Sequence, residues 1–293
     1  MSMRAPALDD ADAVARLFAR AYPEPLAPSV FRRAWTQPRF DLACDARVAL
    51  SGTGEVAGYA DAEAVGDDAH KAWIWVLGEP GDELAEWAER RAAELVAPPV
   101  RLFANVSSEN EPGRRLLERR GFRRVRSSYR MAIDLDGEPA RPAWPEGIAV
   151  RTFRPGDERT FYDVHQETFE DHWEHTRRPY DEWAHWFLAP EHHRPELWFL
   201  ALAGDEPAGV SMCSPDEARA EVGWVAILGV RRPWRKRGLG KALLLHSFAE
   251  LARHGFRRVQ LGVDAESITG AVRLYERAGM RVVHRSDSYE KAL

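Results

Sequence analysis

Cysteine is scarce in this chain: two in 293 residues, Cys44 and Cys213. They lie far apart, follow no metal-ligand spacing and build no disulfide framework, which is the usage of a reducing compartment. Long apolar runs are also missing. No stretch approaches the about 18 uninterrupted apolar residues of a membrane span, and the opening "MSMRAPALDDADAV" lacks the charged-then-apolar design of a signal peptide. A cytoplasmic location with no membrane partner is the expectation. Positive charge is not in excess either: the formal net charge is -5 and the isoelectric point is about 6.1. No global positive field exists to hold a polyanion, so nucleic acid is not an expected partner. What is present, 45% hydrophobic and 30% charged residues, suits about two ordinary domains with proper cores, as a monomer or a homodimer.

The chain repeats itself, and repeats decide how a fold is divided. "LLERRGF" from Leu116 matches "LYERAGM" from Leu274, and each follows a strand and a Ser/Glu-rich turn. "MRAPALDDADAVARLF" from Met3 resembles "VRTFRPGDERTFYDV" from Val150, and "ARVALSGTGEVAGYA" parallels "LWFLALAGDEPAGVS", two β runs around a Gly-bearing hairpin turn. Between the copies "DGEPARPAWPEG" is dense in Pro and Gly. The division expected is a first α/β unit over 1–137, a linker over 138–147 and a second unit over 148–293. In the second unit the patterning predicts strands at 148–153, 197–203, 208–213, 221–230, 258–263, 281–285 and 288–292. Helices are predicted at 157–169, 179–188, 238–254 and 268–278. Hairpins followed by a β-loop-helix-β-helix core give one mixed, mostly antiparallel sheet with helices on both faces.

The stretch "VRRPWRKRGLGK", Val230 to Lys241, puts six cations at the start of a helix whose Leu243, Leu244, Phe248 and Leu251 repeat at helical spacing. Unpaired N–H groups and the helix dipole attract anions there, and Gly238 and Gly240 allow a phosphate to approach the backbone closely. Arg235, Lys236, Arg237 and Lys241 add charge. A nucleotide P-loop would need Ser or Thr after Lys241, and Ala242 stands there. The bland reading of the same stretch is a solvated basic turn.

"RKRGLG" after "LGV" resembles the [QR]-x-x-G-x-[GA] acyl-CoA signature of the GNAT superfamily of N-acetyltransferases. The resemblance covers 148–293 and, in degraded form, 1–137, and "ILGVRRPWRKRGLGKALL" is similar to the mycothiol synthase-like group of actinobacterial acetyltransferases, which fuse two such units. It implies acetyl-CoA as cofactor, with the backbone of Arg235, Lys236, Arg237, Gly238, Leu239, Gly240 and Lys241 on its pyrophosphate. Leu228 and Val230 would pair with the pantetheine arm like an added strand. Tyr275 falls where the family often places the acid that protonates the departing thiolate. Ser267 stands where many members carry Asn against the cofactor. The implied activity is acetyl transfer to the primary amine of a small molecule, with the second unit as catalyst. A CoA-binding regulatory module without turnover is the alternative.

The first copy differs where it matters. "GEPGDEL" replaces the basic loop, and Leu117 stands at the counterpart of Tyr275. Acidic side chains at a helix N-terminus suit its dipole but repel a pyrophosphate, so the first unit is expected to serve as scaffold or pocket wall. A base is also needed, because an amine of pKa about 10.4 must lose a proton at pH 7, roughly 4 kcal/mol. Where the mycothiol synthase-like group carries Glu on the central strand, Trp224 stands, with Glu221 three residues upstream as a substitute. The other candidates lie in "ETFEDHWEHTRRPYDEWAHWF" from Glu167: His172, Glu174 and His175 as base or substrate contacts, against a plain surface turn. Trp183, Trp186 and Phe187 have the spacing of a core stripe rather than a substrate cage. His172 with His175, or His192 with His193, have no carboxylate or thiolate pattern to complete a metal site, so no metal is expected.

Overall fold

A computed structural model describes residues 2–64, 70–137, 139–189 and 193–293; His192 lies outside them. The fold is mixed α/β, and the chain forms two compact units, Met1–Ser128 with His284–Leu293, and Tyr129–Val283. The terminal ten residues, placed with the second copy on sequence grounds, thus pack with the first, and 129–147 pack with the second.

The first unit comprises β1 (Ser2–Arg4), α1 (Ala11–Ala21), α2 (Pro28–Trp35), α3 (Leu42–Asp45), β2 (Ala46–Leu50), β3 (Val56–Ala64), β4 (Lys71–Gly78), α4 (Gly81–Leu95), β5 (Arg101–Ser107), α5 (Glu111–Arg119) and the start of β6 (Arg123–Asp134). Strands β1 to β5 lie in sequence order; β1 to β4 are antiparallel neighbours and β5 joins β4 in parallel. Apolar residues alternate along the strands. Ala60, Ile74, Leu102 and Ala104 pack under α4, while Val48, Tyr59 and Leu77 pack under α1 and α2.

The second unit comprises the end of β6, then β7 (Ile148–Thr152), α6 (Glu158–Phe169), α7 (Tyr180–Phe187), β8 (Trp198–Ala203), β9 (Glu206–Asp216), β10 (Arg219–Val230), α8 (Leu239–Arg253), β11 (Arg258–Asp264), α9 (Ala271–Arg277) and the start of β12 (Arg281–Ala292). Its strand order is β6-β11-β10-β9-β8-β7. One face is covered by α8, whose Leu243, Leu244, Phe248 and Leu251 are at most 1% exposed; each such burial contributes about 1.5–3 kcal/mol. The other face is covered by α6 and α7, with Phe161, Tyr162, Val164 and Trp183 packed on Trp198, Leu200, Val210, Met212 and Ile227. Trp183 and Phe187 belong to this core as their spacing predicts, whereas Trp186 is half-buried outside it.

Two predicted elements differ. The strands expected at 281–285 and 288–292 are one strand, β12, paired with β5 from Ser286↔Ser107 to Ala292↔Arg101. Asp287, which suggests a turn, stays in the strand because its carboxylate accepts from Ser127 Oγ at 2.7 Å and pairs with Arg285 at 2.9 Å. The helix expected over 268–278 begins only at Ala271. Gly270 has φ +74°, and the Ser267 and Thr269 hydroxyls bond each other at 2.8 Å, holding a turn there.

Candidate active site

The central strands of the second unit separate. The parallel ladder between β10 and β11 runs from Val222↔Arg258 to Trp224↔Gln260. Beyond it β10 continues to Val230 and β11 to Asp264, with no further pairing between them among the described residues. On its other edge β10 stays paired with β9, through a bulge at Ala226, so that Leu228 faces Ser211 and Val230 faces Gly209. The backbone edge of β10 from Leu228 to Val230 is therefore without a strand partner on the β11 side, although the Val230 carbonyl accepts from Arg235 Nε at 2.9 Å. Such an edge receives an extended polar chain as an added strand.

The open edge leads into the basic loop. After Val230 the chain makes a 3-10 turn, Arg232–Trp234, and reaches α8 through Gly238, the N-cap residue, at φ +87° and ψ -6°. Only a glycine adopts this left-handed geometry without strain, and no side chain caps the helix. Among the described residues, the N–H groups of 236–241 meet no acceptor within the chain. Six consecutive donors thus surround a helix N-terminus, the arrangement that holds a phosphate.

The six cations divide into two sets. Arg231 pairs with Glu167 at 2.7 Å, Arg232 with Asp171 at 2.8 Å, and Arg235 with Asp171 at 2.5 Å. Arg235 also donates to the Val230 carbonyl at 2.9 Å. The expectation that the Arg235 side chain adds charge at the phosphate is thus corrected: it fastens the loop to the end of α6. Arg232 and Arg235 together hold the Asp171 carboxyl down at about 2. Lys236, Arg237 and Lys241 are exposed and carry no ion pair among the described residues. They are the cations free to meet an anion.

Tyr275, on α9, is 8% exposed and packs in the α8-side core with Leu239, Leu243 and Met280. Its hydroxyl has no hydrogen-bond partner among the described residues, and burial pushes the phenol up to about 12. It remains protonated across the physiological range and can donate its proton. Ser267 lies in the turn before α9, with its hydroxyl on Thr269.

Of the candidate bases, Glu221 and His172 fall in different places. Glu221 is exposed at the start of β10, seven residues from Leu228 or about 23 Å along a strand. The structure does not bring it to the open end. His172 follows α6, with its ring 4.1 Å from that of Phe169. Partial desolvation lowers its pKa first, then the charge of His175, while Asp264 and Asp171 oppose the shift. Asp264 is the last residue of β11, so His172 sits within electrostatic reach of the mouth of the opening. His165 was missed in the sequence. It is 9% exposed, its Nδ1 accepts the Trp183 Nε1–H at 3.0 Å, and burial drops its pKa to about 3. Among the described residues no group of three or more His, Cys, Asp or Glu could hold a metal ion, and no helix is long and apolar enough to cross a membrane.

In the first unit the same two places are filled from within. The β4/β5 ladder ends at Ile74↔Ala104, and the next carbonyl, Asn105, accepts the Tyr22 hydroxyl at 3.0 Å. The Tyr22 ring stacks on Phe18 at 4.2 Å, and Phe18 in turn on Trp75 at 5.6 Å. At the N-terminus of α4 the Glu79 carboxylate accepts the Gly81 N–H at 2.9 Å. A side-chain anion stands where the second unit presents free donors. Leu117, the counterpart of Tyr275, is core.

Comparison with known proteins bears on this geometry. The model of the acetyltransferase (GNAT) family matches residues 159–280, all within the second unit. The mycothiol acetyltransferase of Actinosynnema mirum is 33% identical over 240 residues, 77% of either chain. That of Geodermatophilus obscurus is 32% identical over 248 residues, 79% of this chain and 77% of its own. The crystal structure of a GCN5-related N-acetyltransferase from Sphaerobacter thermophilus matches at TM-score 0.80 and 35% identity, covering 99% of this chain and 95% of that one. A tandem GNAT protein from the clavulanic acid biosynthesis pathway shares the fold over 99% of this chain and 98% of its own, at TM-score 0.74 and 18% identity.

Proposed function

Because this chain belongs to the GNAT acetyltransferase family, we propose that it transfers the acetyl group of acetyl-CoA to a primary amine of a small molecule, with the second unit alone as catalyst. The observation that carries this reading is the pairing of an open β10 edge with the six unaccepted N–H groups at the start of α8.

The residues fit the donor. The N–H groups from Lys236 to Lys241, with the charges of Lys236, Arg237 and Lys241, would hold its pyrophosphate. Leu228 and Val230 would hold the pantetheine amides through their backbone. Acetyl-CoA supplies an activated acetyl thioester, which the neutral amine attacks. The ammonium must first lose its proton, and His172 beside the mouth of the opening is the acceptor of that proton. Its lowered pKa keeps the imidazole neutral at pH 7, in the form that can act as base. Tyr275 is the donor to the departing sulfur. A phenol near 12 is a poor acid toward a thiolate whose ordinary value is about 8.5, so its contribution is greatest where burial also raises the thiol.

The first unit, with Tyr22 and Glu79 in the corresponding places, is proposed as a scaffold. The test is release of free CoA thiol from acetyl-CoA by the purified protein across a panel of amines. Release that requires the amine supports the reading, and no release with any amine removes it.

A further inference from the structure

The end of α6 that rests on β10 carries a buried imidazole with an unused donor. A Cβ at Gly229, between Leu228 and Val230, would run into Thr168 Oγ1, so α6 lies directly on the part of β10 that has no partner on the β11 side. His165 stands three residues earlier, about 4.5 Å back along the helix, and is 9% exposed. Its Nδ1 accepts the Nε1–H of the fully buried Trp183 at 3.0 Å. An indole N–H only donates, so Nδ1 is the bare nitrogen and the neutral ring carries its proton on Nε2. That Nε2–H meets no acceptor among the described residues.

The surroundings of the ring are aromatic. Phe169 meets it edge-on at 4.7 Å and Phe187 at 5.7 Å. The Phe169 ring also lies 4.1 Å from that of His172, so a single phenyl ring touches both imidazoles. The segment that bears His172 is fastened across the same turn of α6: the Tyr162 hydroxyl donates to the Arg178 carbonyl at 2.7 Å, and the Arg178 N–H donates to Gln166 Oε1 at 3.0 Å. Two residues before Arg178, Thr176 Oγ1 is buried with no partner. A wall with two unmade hydrogen bonds, in a protein interior where such bonds are almost always made, is suited to a polar ligand.

We propose that the Nε2–H of His165 is a fixed donor to the acceptor substrate, holding an uncharged oxygen, a hydroxyl or an amide carbonyl, a few bonds from the amine whose proton His172 takes. This deepens the acetyl-transfer reading and rests on it. His165 cannot share the work of a base, because its bare nitrogen is engaged by Trp183. A carboxylate would lose its hydration against Phe169 and Phe187 and meet a neutral ring, whereas a neutral oxygen gives up less water for the same bond.

The test is nitrogen NMR of the protein labelled with 15N-histidine, in which His165 is identified by its contact with the Trp183 Nε1–H. At pH 7 the Nε2–H tautomer is expected, and the Nδ1–H tautomer or a charged ring would overturn the proposal. Short linear amines ending in hydroxyl, carboxamide, carboxylate or methyl are then titrated in. Hydroxyl or carboxamide ends should move the Nε2 signal and bind at least about threefold tighter than the methyl end, the scale of one neutral hydrogen bond. Equal binding of all four ends, an Nε2 signal that no amine moves, or tightest binding of the carboxylate, which would mean an ion pair with Arg178 instead, each overturns it. His165→Phe should abolish the preference, and an unchanged preference there overturns the proposal too. His165→Gln, whose amide can accept from Trp183 and still donate, should keep part of it. The wild-type titration stands even where a variant fails to fold. Release of CoA thiol reads the acetyl-transfer proposal separately: no release beside a responsive Nε2 signal removes turnover and keeps the donor, while release beside a silent signal removes the donor alone.

Discussion

The Asp171 carboxylate lies 2.5 Å from the Arg235 guanidinium and so joins the segment after α6 to the loop before α8. In the second unit this joins the stretch that bears His172 to the stretch that bears the free N–H groups. Arg232, on the same carboxylate, doubles the joint. Asp171→Asn is expected to loosen both sides, raising the KM for acetyl-CoA about 5- to 30-fold, as for the loss of a hydrogen-bonded ion pair worth about 1–2 kcal/mol. Steady-state kinetics with each substrate varied in turn checks this; an unchanged KM for acetyl-CoA would show the joint to be idle.

Tyr275→Phe isolates the phenol. Because the hydroxyl has no partner among the described residues, its removal should leave thermal unfolding almost unmoved while kcat falls about 10- to 1,000-fold at constant KM. With the phenol near 12, the wild-type rate should show no alkaline limb from this group below pH 10. A fall in stability that matches the fall in rate would assign Tyr275 to packing.

His165 gives the fold a defined acid sensitivity. Its folded pKa, about 3, lies below the unfolded value of about 6.5, so between these values the unfolded chain binds the extra proton. Stability is fully present above about pH 6.5 and is lost as pH falls toward 3, at up to about 1.4 kcal/mol per pH unit from this group. Urea midpoints at pH 4, 5 and 6 should fall more steeply in the wild type than in His165→Gln. Parallel slopes would contradict the buried neutral imidazole.

Much of this was legible in the sequence because it is local. The repeats "LLERRGF" and "LYERAGM", the glycines at 238 and 240 and the apolar spacing of α8 each specify backbone within a few residues. What was not legible depends on long-range pairing. Nothing in "WRKRGLG" says that Arg235 is committed to a carboxylate 64 residues earlier, while Lys236 and Arg237 are not. Tyr22, 83 residues from the carbonyl it binds, gives no signal of plugging the first unit. Glu79 was different: an acid two residues before a helix N-terminus announces a local cap, and the structure has one. The single terminal strand was not legible either, because Asp287, between the two expected strands, is held in β12 by its neighbour Arg285 and by Ser127, 160 residues away.

The central claim is that one unit of the two takes the acyl donor. Calorimetric titration of the protein with acetyl-CoA, beside a Gly240→Asp variant, tests it most directly. A Cβ at residue 240 would meet Leu274 Cδ1 at 3.3 Å, and the added carboxylate would repel a pyrophosphate at the start of α8, so at least about 100-fold weaker binding is expected. The account predicts one site per chain in the wild type and its loss in the variant. Two sites per chain, or one site that survives in Gly240→Asp, would contradict it.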